Sequence, residues 1–137
     1  MALVLDTGPL LAGLDAADPD HDACAVLLSE AREDLVVPAL VLAELDYWCH
    51  ERLTPEAWIS FLGDVLEGAY RVERPTDTDL RRCEELQRTY RDLRLGVVDA
   101  SVLAVVERLG EDKLATLDHR HFAVVRPSHV DALRLLP

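Results

Sequence analysis

Short apolar runs alternate along the chain with longer stretches that carry apolar residues at helical spacing. Five of these runs are rich in valine and leucine, which predicts strands that are covered on both faces. The expected strands are Leu3–Leu5, Leu35–Val37, Tyr70–Val72, Leu114–Thr116 and Val124–Val125. Because strands and helices alternate from end to end, the pattern favours an α/β fold with a parallel sheet and helices on both faces.

Start and stop signals mark the helices between these strands. Pro38 is expected to open one helix at its first position, and Thr54-Pro55-Glu56 predicts the start of another. The segment Val98–Leu109 is apolar almost all round and is followed by Gly110, which is typical of a deeply buried helix with a glycine cap. The two remaining helices are predicted at His21–Arg32 and Asp77–Leu93.

Length and composition favour one domain that works in a reducing compartment. The 137 residues contain no repeat, linker or composition break, so a single domain over residues 1–137 is predicted. No apolar run approaches the ~18–20 residues of a membrane span. The N-terminal sequence MALVLD lacks the pattern of a signal peptide, and the three cysteines show no paired spacing. We therefore expect a cytoplasmic protein without a membrane partner.

The charge balance is strongly acidic. Fourteen basic residues against 26 acidic ones give a formal net charge of −12. Such a surface repels nucleic acid on average, since phosphates are normally bound by lysine and arginine. The excess of acidic residues either serves solubility or includes carboxylates that are grouped to hold cations. Only the positions of these residues can distinguish the two explanations.

Four acidic residues occupy positions that ordinary solvation does not explain. Asp6 ends the first predicted strand and Asp118 follows the fourth, although each also fits a turn or a helix cap. Glu44 has apolar and aromatic neighbours at helical spacing, where it is either functional, a snorkelling residue at the edge of the core, or a partner for a core arginine. Asp99 lies at the start of the most apolar helix, where an N-cap is the alternative.

Taken together, these four carboxylates predict a cation site. In open α/β sheets, ligands bind outside the carboxyl ends of the strands, and all four residues can reach that edge. Close carboxylates repel by ~4 kcal/mol per pair near a protein surface, so a cluster persists only if protons or cations neutralise it. Oxygen ligands select Mg²⁺ or Mn²⁺ rather than zinc, and His119 and His121 lack zinc-site spacing.

The four acids stand in short motifs whose order and spacing resemble a known family. The motifs are Val4-Leu5-Asp6-Thr7, Leu42-Ala43-Glu44, Leu95 to Ser101 around Asp99, and Thr116-Leu117-Asp118 with Phe122 behind it. Over nearly the whole chain they resemble the PIN-domain ribonucleases, and within them the VapC-type toxins of bacterial toxin–antitoxin pairs. The resemblance implies a three-layer α/β/α PIN-like fold with a short, mostly parallel central sheet.

The same resemblance assigns roles to residues of this sequence. It implies an acidic pocket of Asp6, Glu44, Asp99 and Asp118, with Asp6 and Asp99 as the principal metal ligands, and site-shaping hydroxyls on Thr7 and Thr116. The implied activity is a Mg²⁺-dependent endoribonuclease, with Mn²⁺ as a substitute, that cleaves RNA phosphodiester bonds by metal-activated water. A homodimer and an inhibitory cognate antitoxin are the implied protein partners.

A group of arginines before the third acidic motif offers a route for RNA. Its members are Arg81, Arg82, Arg88, Arg91 and Arg94. Acidic residues at helical spacing favour surface ion pairs for Arg81, with Glu85, and for Arg88, with Glu84. Arg91 and Arg94 have fewer such partners and are the candidates for RNA contacts.

Aromatic residues concentrate in one helical hairpin. Trp48 shares a helical stripe with Val41, Glu44 and Leu45, which predicts a packing role for its ring. Exposed aromatic rings in this hairpin would suit an antitoxin segment, because aromatic residues anchor interfaces.

Two other functions remain open at the level of the sequence. One is a non-catalytic acidic α/β module of the same fold that binds RNA or protein, with the carboxylates as caps and ion pairs. The other is a nuclease of DNA or flap structures, which the small size disfavours. The ability of the four acids to bind a divalent metal together separates the enzyme from the binding module.

Overall fold

The strands of the computed structural model, which describes residues 1–137, are short and parallel. Their bounds are β1 Ala2–Leu5, β2 Asp34–Pro38, β3 Arg71–Glu73, β4 Lys113–Ala115 and β5 Arg134–Leu136. Neighbouring strands are parallel in every case, in the order β3-β2-β1-β4-β5. The predicted sheet is therefore confirmed, and it is wholly rather than mostly parallel.

Helices flank this sheet and complete the predicted three-layer α/β/α architecture. Their bounds are α1 Thr7–Leu14, α2 His21–Glu30, α3 Ala39–Arg52, α4 Pro55–Leu66, α5 Asp77–Thr89, α6 Val97–Leu109 and α7 His119–Phe122. A 3₁₀ turn at Arg91–Leu93 lies between α5 and α6. None of these helices combines the length and apolar character that a membrane crossing requires.

The hydrophobic core is centred on β1 and α6. Every residue of β1 is buried, and so is each residue of α6 from Ala100 to Val106, because this helix packs against α3 and α5 as well as against β1 and β2. Gly110 ends α6 with a φ of 69°, in the left-handed region that favours glycine. The buried helix predicted from the sequence is therefore confirmed, with its glycine cap.

The prediction of a strand at Val124–Val125 is wrong. The amides of both residues donate to the carbonyl of His121, at 3.1 and 3.0 Å, which closes a turn after α7 instead of a ladder. Val125 is buried in the core whereas Val124 is 57% exposed, so the pair supplies one core contact and no strand. The fifth strand is Arg134–Leu136, which pairs with β4.

Three predicted helix boundaries also differ from the structure. Pro38 has a ψ of 135° and is the last residue of β2, so it precedes α3 rather than opening it. The helix predicted to reach Arg32 ends at Glu30. The helix predicted over Asp77–Leu93 ends as an α-helix at Thr89, because Tyr90 leaves the helical conformation before the 3₁₀ turn. The start of α4 is as predicted, with Thr54 as its N-cap.

Candidate metal centre at the carboxyl edge of the sheet

The order of the strands places the carboxyl ends of β1 and β4 side by side. From β1 the chain proceeds outwards to β2 and β3, and it then returns to add β4 and β5 on the other side of β1. In open α/β sheets a reversal of this kind leaves a crevice in which ligands bind. Asp6 directly follows β1 and Asp118 follows β4, so both predicted acids lie at this crevice.

Asp6 is almost fully buried and is held by two hydrogen bonds. Its Oδ1 accepts from the amide of Thr7 at 2.8 Å, and its Oδ2 accepts from the hydroxyl of Thr116 at 2.8 Å. Its own amide donates to the carbonyl of Ala115 at 2.9 Å, which ties the residue to the end of β4. Asp6 is also the N-cap of α1, so the capping role and the site position belong to the same side chain.

Thr116 connects the two sides of the crevice. Besides donating to Asp6, its hydroxyl accepts from the amide of Asp118 at 3.0 Å. The residue itself is completely buried behind the cleft. A single hydroxyl therefore fixes the loop after β4 relative to the end of β1.

Asp118 and Asp99 meet at the side chain of His121. The Oδ2 of Asp118 contacts Nδ1 of His121 at 2.6 Å, and the same nitrogen lies 3.6 Å from Oδ2 of Asp99. One potential ligand atom from each of the three residues lies within 4.8 Å of the other two. The pKa of His121 is raised, first by the hydrogen bond with Asp118 and also by the charge of Asp99.

Asp99 and Glu44 reach the site from helices. Asp99 is the third residue of α6, and Gly96 occupies the N-cap, so the alternative assignment of Asp99 as a cap is excluded. Glu44 lies half-buried in the middle of α3. Neither carboxylate accepts a hydrogen bond from a backbone amide, in contrast to Asp6 and Asp118.

All four predicted acids line one open cleft of about 420 Å³. The lining residues are Asp6, Thr7, Gly8, Leu11, Glu44, Trp48, Arg52, Asp99, Leu117 and Asp118. The structure therefore brings together the acidic quartet and the hydroxyl of Thr7, with Thr116 directly behind them.

Burial makes negative charge costly in this cleft. Desolvation raises the pKa of Asp6 to about 6, although its hydrogen bonds with Thr116 and Thr7 oppose the rise. Desolvation, with the charges of Asp6 and Asp118, raises the pKa of Asp99 to about 7. Glu44 contributes to both shifts through its charge, so the four residues form one electrostatic unit. The charge of His121 opposes the rise in the pKa of Asp99 but does not cancel it.

The donor atoms of the cleft fit a hard divalent cation. Carboxylate oxygens are the ligands that Mg²⁺ and Mn²⁺ prefer. Thr7 also lines the cleft, and its buried hydroxyl has no hydrogen-bond partner. Such an orphaned group costs free energy unless a ligand uses it.

The two arginines proposed for RNA lie in and after the 3₁₀ turn. Arg91 begins this turn, and Arg94 follows it with a φ of 55°. The backbone of Leu93 contributes to the raised pKa of His121, which places the turn against the site. Neither arginine is part of the chain's ion pairs, which are formed by other residues.

Of the remaining arginines of that group, Arg82 and Arg88 form ion pairs and Arg81 forms none. Arg88 contacts Glu84 at 2.6 Å as predicted. Glu85 pairs with Arg82, at 3.2 Å, instead of with the predicted Arg81. Arg82 points towards α6, where its guanidinium also binds Glu107 with two hydrogen bonds.

His121 has no role predicted from the sequence, which shows only that it lacks the spacing of a zinc site. The available signal was its position three residues after Asp118, because residues at this spacing share one face of a helical turn. The structure places it between two of the acids.

Comparison with known proteins gives a consistent result. A family model described as the PIN domain matches residues 3–126. Ribonuclease VapC26 of Mycobacterium tuberculosis is 33% identical over 125 residues, which cover 91% of this chain and 93% of the relative. The resemblance noted from the four acidic motifs is thereby confirmed.

Solved structures with the same fold superpose on nearly all or all of the chain. VapC20 of Mycobacterium tuberculosis, a toxin that cleaves the sarcin–ricin loop, superposes with a TM-score of 0.81 at 20% identity and covers 95% of this chain and 98% of its own. The VapBC2 complex of Rickettsia felis, bound to a promoter DNA fragment, gives a TM-score of 0.71 at 16% identity and full coverage of both chains. At these identities the likeness establishes the fold.

Proposed function

This chain belongs to the PIN-domain family, and on that premise we propose that it is a metal-dependent endoribonuclease of the VapC toxin class. One observation carries the proposal: four carboxylates from four separate segments line a single cleft at the switch point of the sheet. A binding module would not need to gather four like charges around buried oxygens, since each pair costs free energy. We further propose that residues 1–137 act as a single domain.

The cofactor in this proposal is Mg²⁺, with Mn²⁺ as a substitute. Asp6, Asp99, Asp118 and Glu44 would hold it, with Asp6 and Asp99 as the principal ligands. When bound, such a cation polarises a phosphate oxygen and lowers the pKa of a water molecule, which is the chemistry of metal-assisted phosphodiester hydrolysis.

The protein's own residues prepare the site for this chemistry. Thr116 holds the carboxylates of Asp6 and Asp118 in register through one hydroxyl. His121, whose pKa is raised, donates from Nδ1 to Asp118 and orients that carboxylate. Outer hydrogen bonds of this type fix ligand geometry and are needed for metal affinity. Thr7 supplies a hydroxyl oxygen at the same cleft.

RNA is the proposed substrate and an antitoxin is a proposed partner. The name of the relative from Mycobacterium tuberculosis, a ribonuclease, supports RNA. The fold neighbours include VapBC complexes from Rickettsia felis and Salmonella typhimurium, which support a cognate antitoxin for this chain as well. A cytoplasmic location and a homodimer complete the proposal. Arg91 and Arg94 are proposed as RNA contacts because neither forms an ion pair and they flank Leu93, whose backbone contributes to the raised pKa of His121.

Cleavage of total RNA by the purified protein tests this function. We expect discrete fragments in Mg²⁺ and none in EDTA, and a loss of at least about a hundredfold in rate for Asp99→Asn. The matched control is Asp131→Asn, which changes an exposed aspartate that does not line the cleft. Intact RNA in both Mg²⁺ and Mn²⁺, or equal cleavage by Asp99→Asn, would contradict the proposal.

A further inference from the structure

The part of the cleft rim that α3 forms includes a positively charged side chain, Arg52, to which the proposed chemistry gives no role. Glu44, Trp48 and Arg52 follow one another at intervals of four residues, so they share one face of α3, and all three line the cleft. The guanidinium carbon of Arg52 lies 4.6 Å from the centre of the Trp48 ring. The sequence predicted only a packing role for this tryptophan.

The ring of Trp48 holds the guanidinium of Arg52 without occupying the N–H donors of the guanidinium. A cation above an aromatic face is attracted by the ring quadrupole, so the N–H groups of the guanidinium remain available. No side-chain hydrogen bond or ion pair of the structure involves Arg52. Trp48 is itself packed against the hydrophobic core, which gives the arginine a fixed support. A held guanidinium loses less conformational entropy when it binds a planar or tetrahedral anion.

The negative charge of the protein and of the cleft makes an unpaired arginine at the cleft important for binding RNA. A chain with a net charge of −12 and four carboxylates in one cleft repels a polyanion. Of the four ion-paired arginines, Arg82 and Arg108 bind acids on neighbouring elements and are committed to the fold. Arg52 is uncommitted and lies at the cleft itself.

Distance along the helix separates Arg52 from the acids. Glu44 and Arg52 are eight residues apart, which corresponds to about 12 Å of helix axis. Glu44 and Arg52 thus occupy different points along the face of α3 that lines the cleft. Arg52 is therefore placed to bind a neighbouring phosphate of the same strand.

We propose that Trp48 and Arg52 form a subsite for a phosphate flanking the scissile one, within an unpaired stretch of RNA. The inference rests on the proposed ribonuclease function and adds to it the way the substrate is held. The N–H groups of the Arg52 guanidinium bind the flanking phosphate, and the plane of the guanidinium offers a stacking surface for an adjacent unpaired base. Stacking of this kind requires single-stranded RNA, because paired bases do not expose their faces.

The test measures the affinity for a fluorescein-labelled single-stranded RNA oligonucleotide of random sequence by fluorescence anisotropy. The full-length chain carries Asp99→Asn to prevent cleavage, and the titration is repeated over a series of salt concentrations. Arg52→Ala is expected to weaken binding by roughly five- to tenfold and to reduce the slope of log K against log salt by about 0.7. Trp48→Leu is expected to weaken it by roughly two- to fivefold, because the support of the guanidinium is lost.

Two controls make the result specific. Arg32→Ala removes an exposed arginine that precedes β2 at the opposite edge of the sheet, and its affinity and salt slope are expected to equal those of the parent. Calorimetric binding of Mn²⁺ by Arg52→Ala, with Asp99 restored, shows that the fold and the acidic cleft are intact.

Unchanged affinity and salt slope for Arg52→Ala would overturn the subsite. Wild-type cleavage of total RNA is measured in parallel, so the two failures can be told apart. If the wild type cleaves RNA and Arg52→Ala binds as the parent does, only the subsite is wrong. If the parent binds no RNA and the wild type cleaves none, the proposed function and the subsite are both overturned.

Discussion

The hydroxyl of Thr116 donates a 2.8 Å hydrogen bond to Oδ2 of Asp6, and so joins residues that are 110 positions apart in the chain. Because the same oxygen accepts from the amide of Asp118, it couples the carboxyl ends of β1 and β4. Both ends are anchored by buried strands, so the geometry of these two carboxylates is set by the fold. Outer hydrogen bonds of this kind hold metal-binding carboxylates in a defined geometry, as a catalytic centre requires.

Replacing Thr116 by valine tests this coupling. The substitution keeps the shape of the side chain and removes both hydrogen bonds of the hydroxyl. Because Thr116 also opposes the rise in the pKa of Asp6, that carboxyl is expected to hold its proton more strongly in the variant. We expect Mn²⁺ affinity and RNA cleavage to fall by roughly 10- to 100-fold, measured by calorimetry and gel assay.

Thr116→Ser is the matched control for this change. It retains the hydroxyl and is expected to keep most of the affinity and activity, with a small loss of stability from the missing methyl group. Equal metal affinity for the valine and serine variants would show that the hydrogen bond does not organise the site.

The raised pKa values predict how stability depends on pH in the absence of metal. Asp6 and Asp99 keep their protons in the native state up to about pH 6 and about pH 7, whereas in the unfolded chain they lose them near 3.8. Between these limits the native state binds more protons, so the contribution of both residues to the free energy of unfolding falls as pH rises. For the deeply buried Asp6 the difference corresponds to about 3 kcal/mol.

Asp99→Asn isolates part of this effect. Because asparagine does not titrate, the loss of stability between about pH 5 and pH 8 in EDTA is expected to be smaller in the variant by about 1–3 kcal/mol, after allowance for solvent screening. Urea denaturation at several pH values measures the difference, with the exposed Asp131→Asn as control. A variant whose stability falls with pH as steeply as the wild type would contradict the electrostatic account of the cleft.

Charge reversal at Arg91 and Arg94 tests the proposed RNA contacts. The double Glu variant is expected to weaken RNA binding by at least tenfold at moderate salt while Mn²⁺ affinity stays unchanged, because neither residue lines the acidic cleft. Arg88→Glu serves as the comparison, since that arginine is already paired with Glu84 on the surface of α5. Unchanged RNA affinity in the double variant would remove these two residues from the substrate path.

Gly8 offers a steric test of the cleft. A Cβ at this position would lie 3.1 Å from Cβ of Leu117, the residue before Asp118, so the neighbouring loop must move by a few tenths of an ångström. We expect Gly8→Ala to lower Mn²⁺ affinity severalfold. Gly63→Ala, in the middle of α4, meets no atom within 4 Å and is expected to raise stability by about 0.5–1 kcal/mol without affecting metal binding. Equal Mn²⁺ affinity for both variants would contradict the close approach of Gly8 and Leu117.

Local pattern was sufficient for most of the fold, and its failures have physical causes. The apolar run of β1 and the nearly uniform apolar character of α6 are the direct consequence of burial on several sides. Val124–Val125 carries the same two-residue signal as a strand, but only Val125 is needed by the core and the backbone turns back on His121. The true fifth strand, Arg134–Leu136, is too short and mixed to stand out by pattern.

The residues of the site could be predicted one by one, although the hydrogen bonds and contacts between them could not. Asp6, Asp99 and Asp118 could be placed at the carboxyl edge from a position after a strand or near a helix start, and Glu44 stood out by its apolar neighbours at helical spacing. Hydrogen bonds between distant segments, such as the one from Thr116 to Asp6, depend on the order of the strands in the sheet, and local sequence pattern does not reveal that order. The same holds for the cation–π contact that places Arg52 at the cleft: its i,i+4 spacing from Trp48 was visible, but not that both residues face the acids.

The central claim is that the four carboxylates form one divalent-metal site, and a calorimetric titration of Mn²⁺ into the metal-stripped protein tests it most directly. The account predicts saturable binding by the wild type and its loss in both Asp6→Asn and Asp99→Asn, each verified as folded by circular dichroism. Those two residues lie on different elements, so a joint loss identifies a shared site. Absence of saturable binding by the wild type, or wild-type affinity in either variant, would contradict the claim.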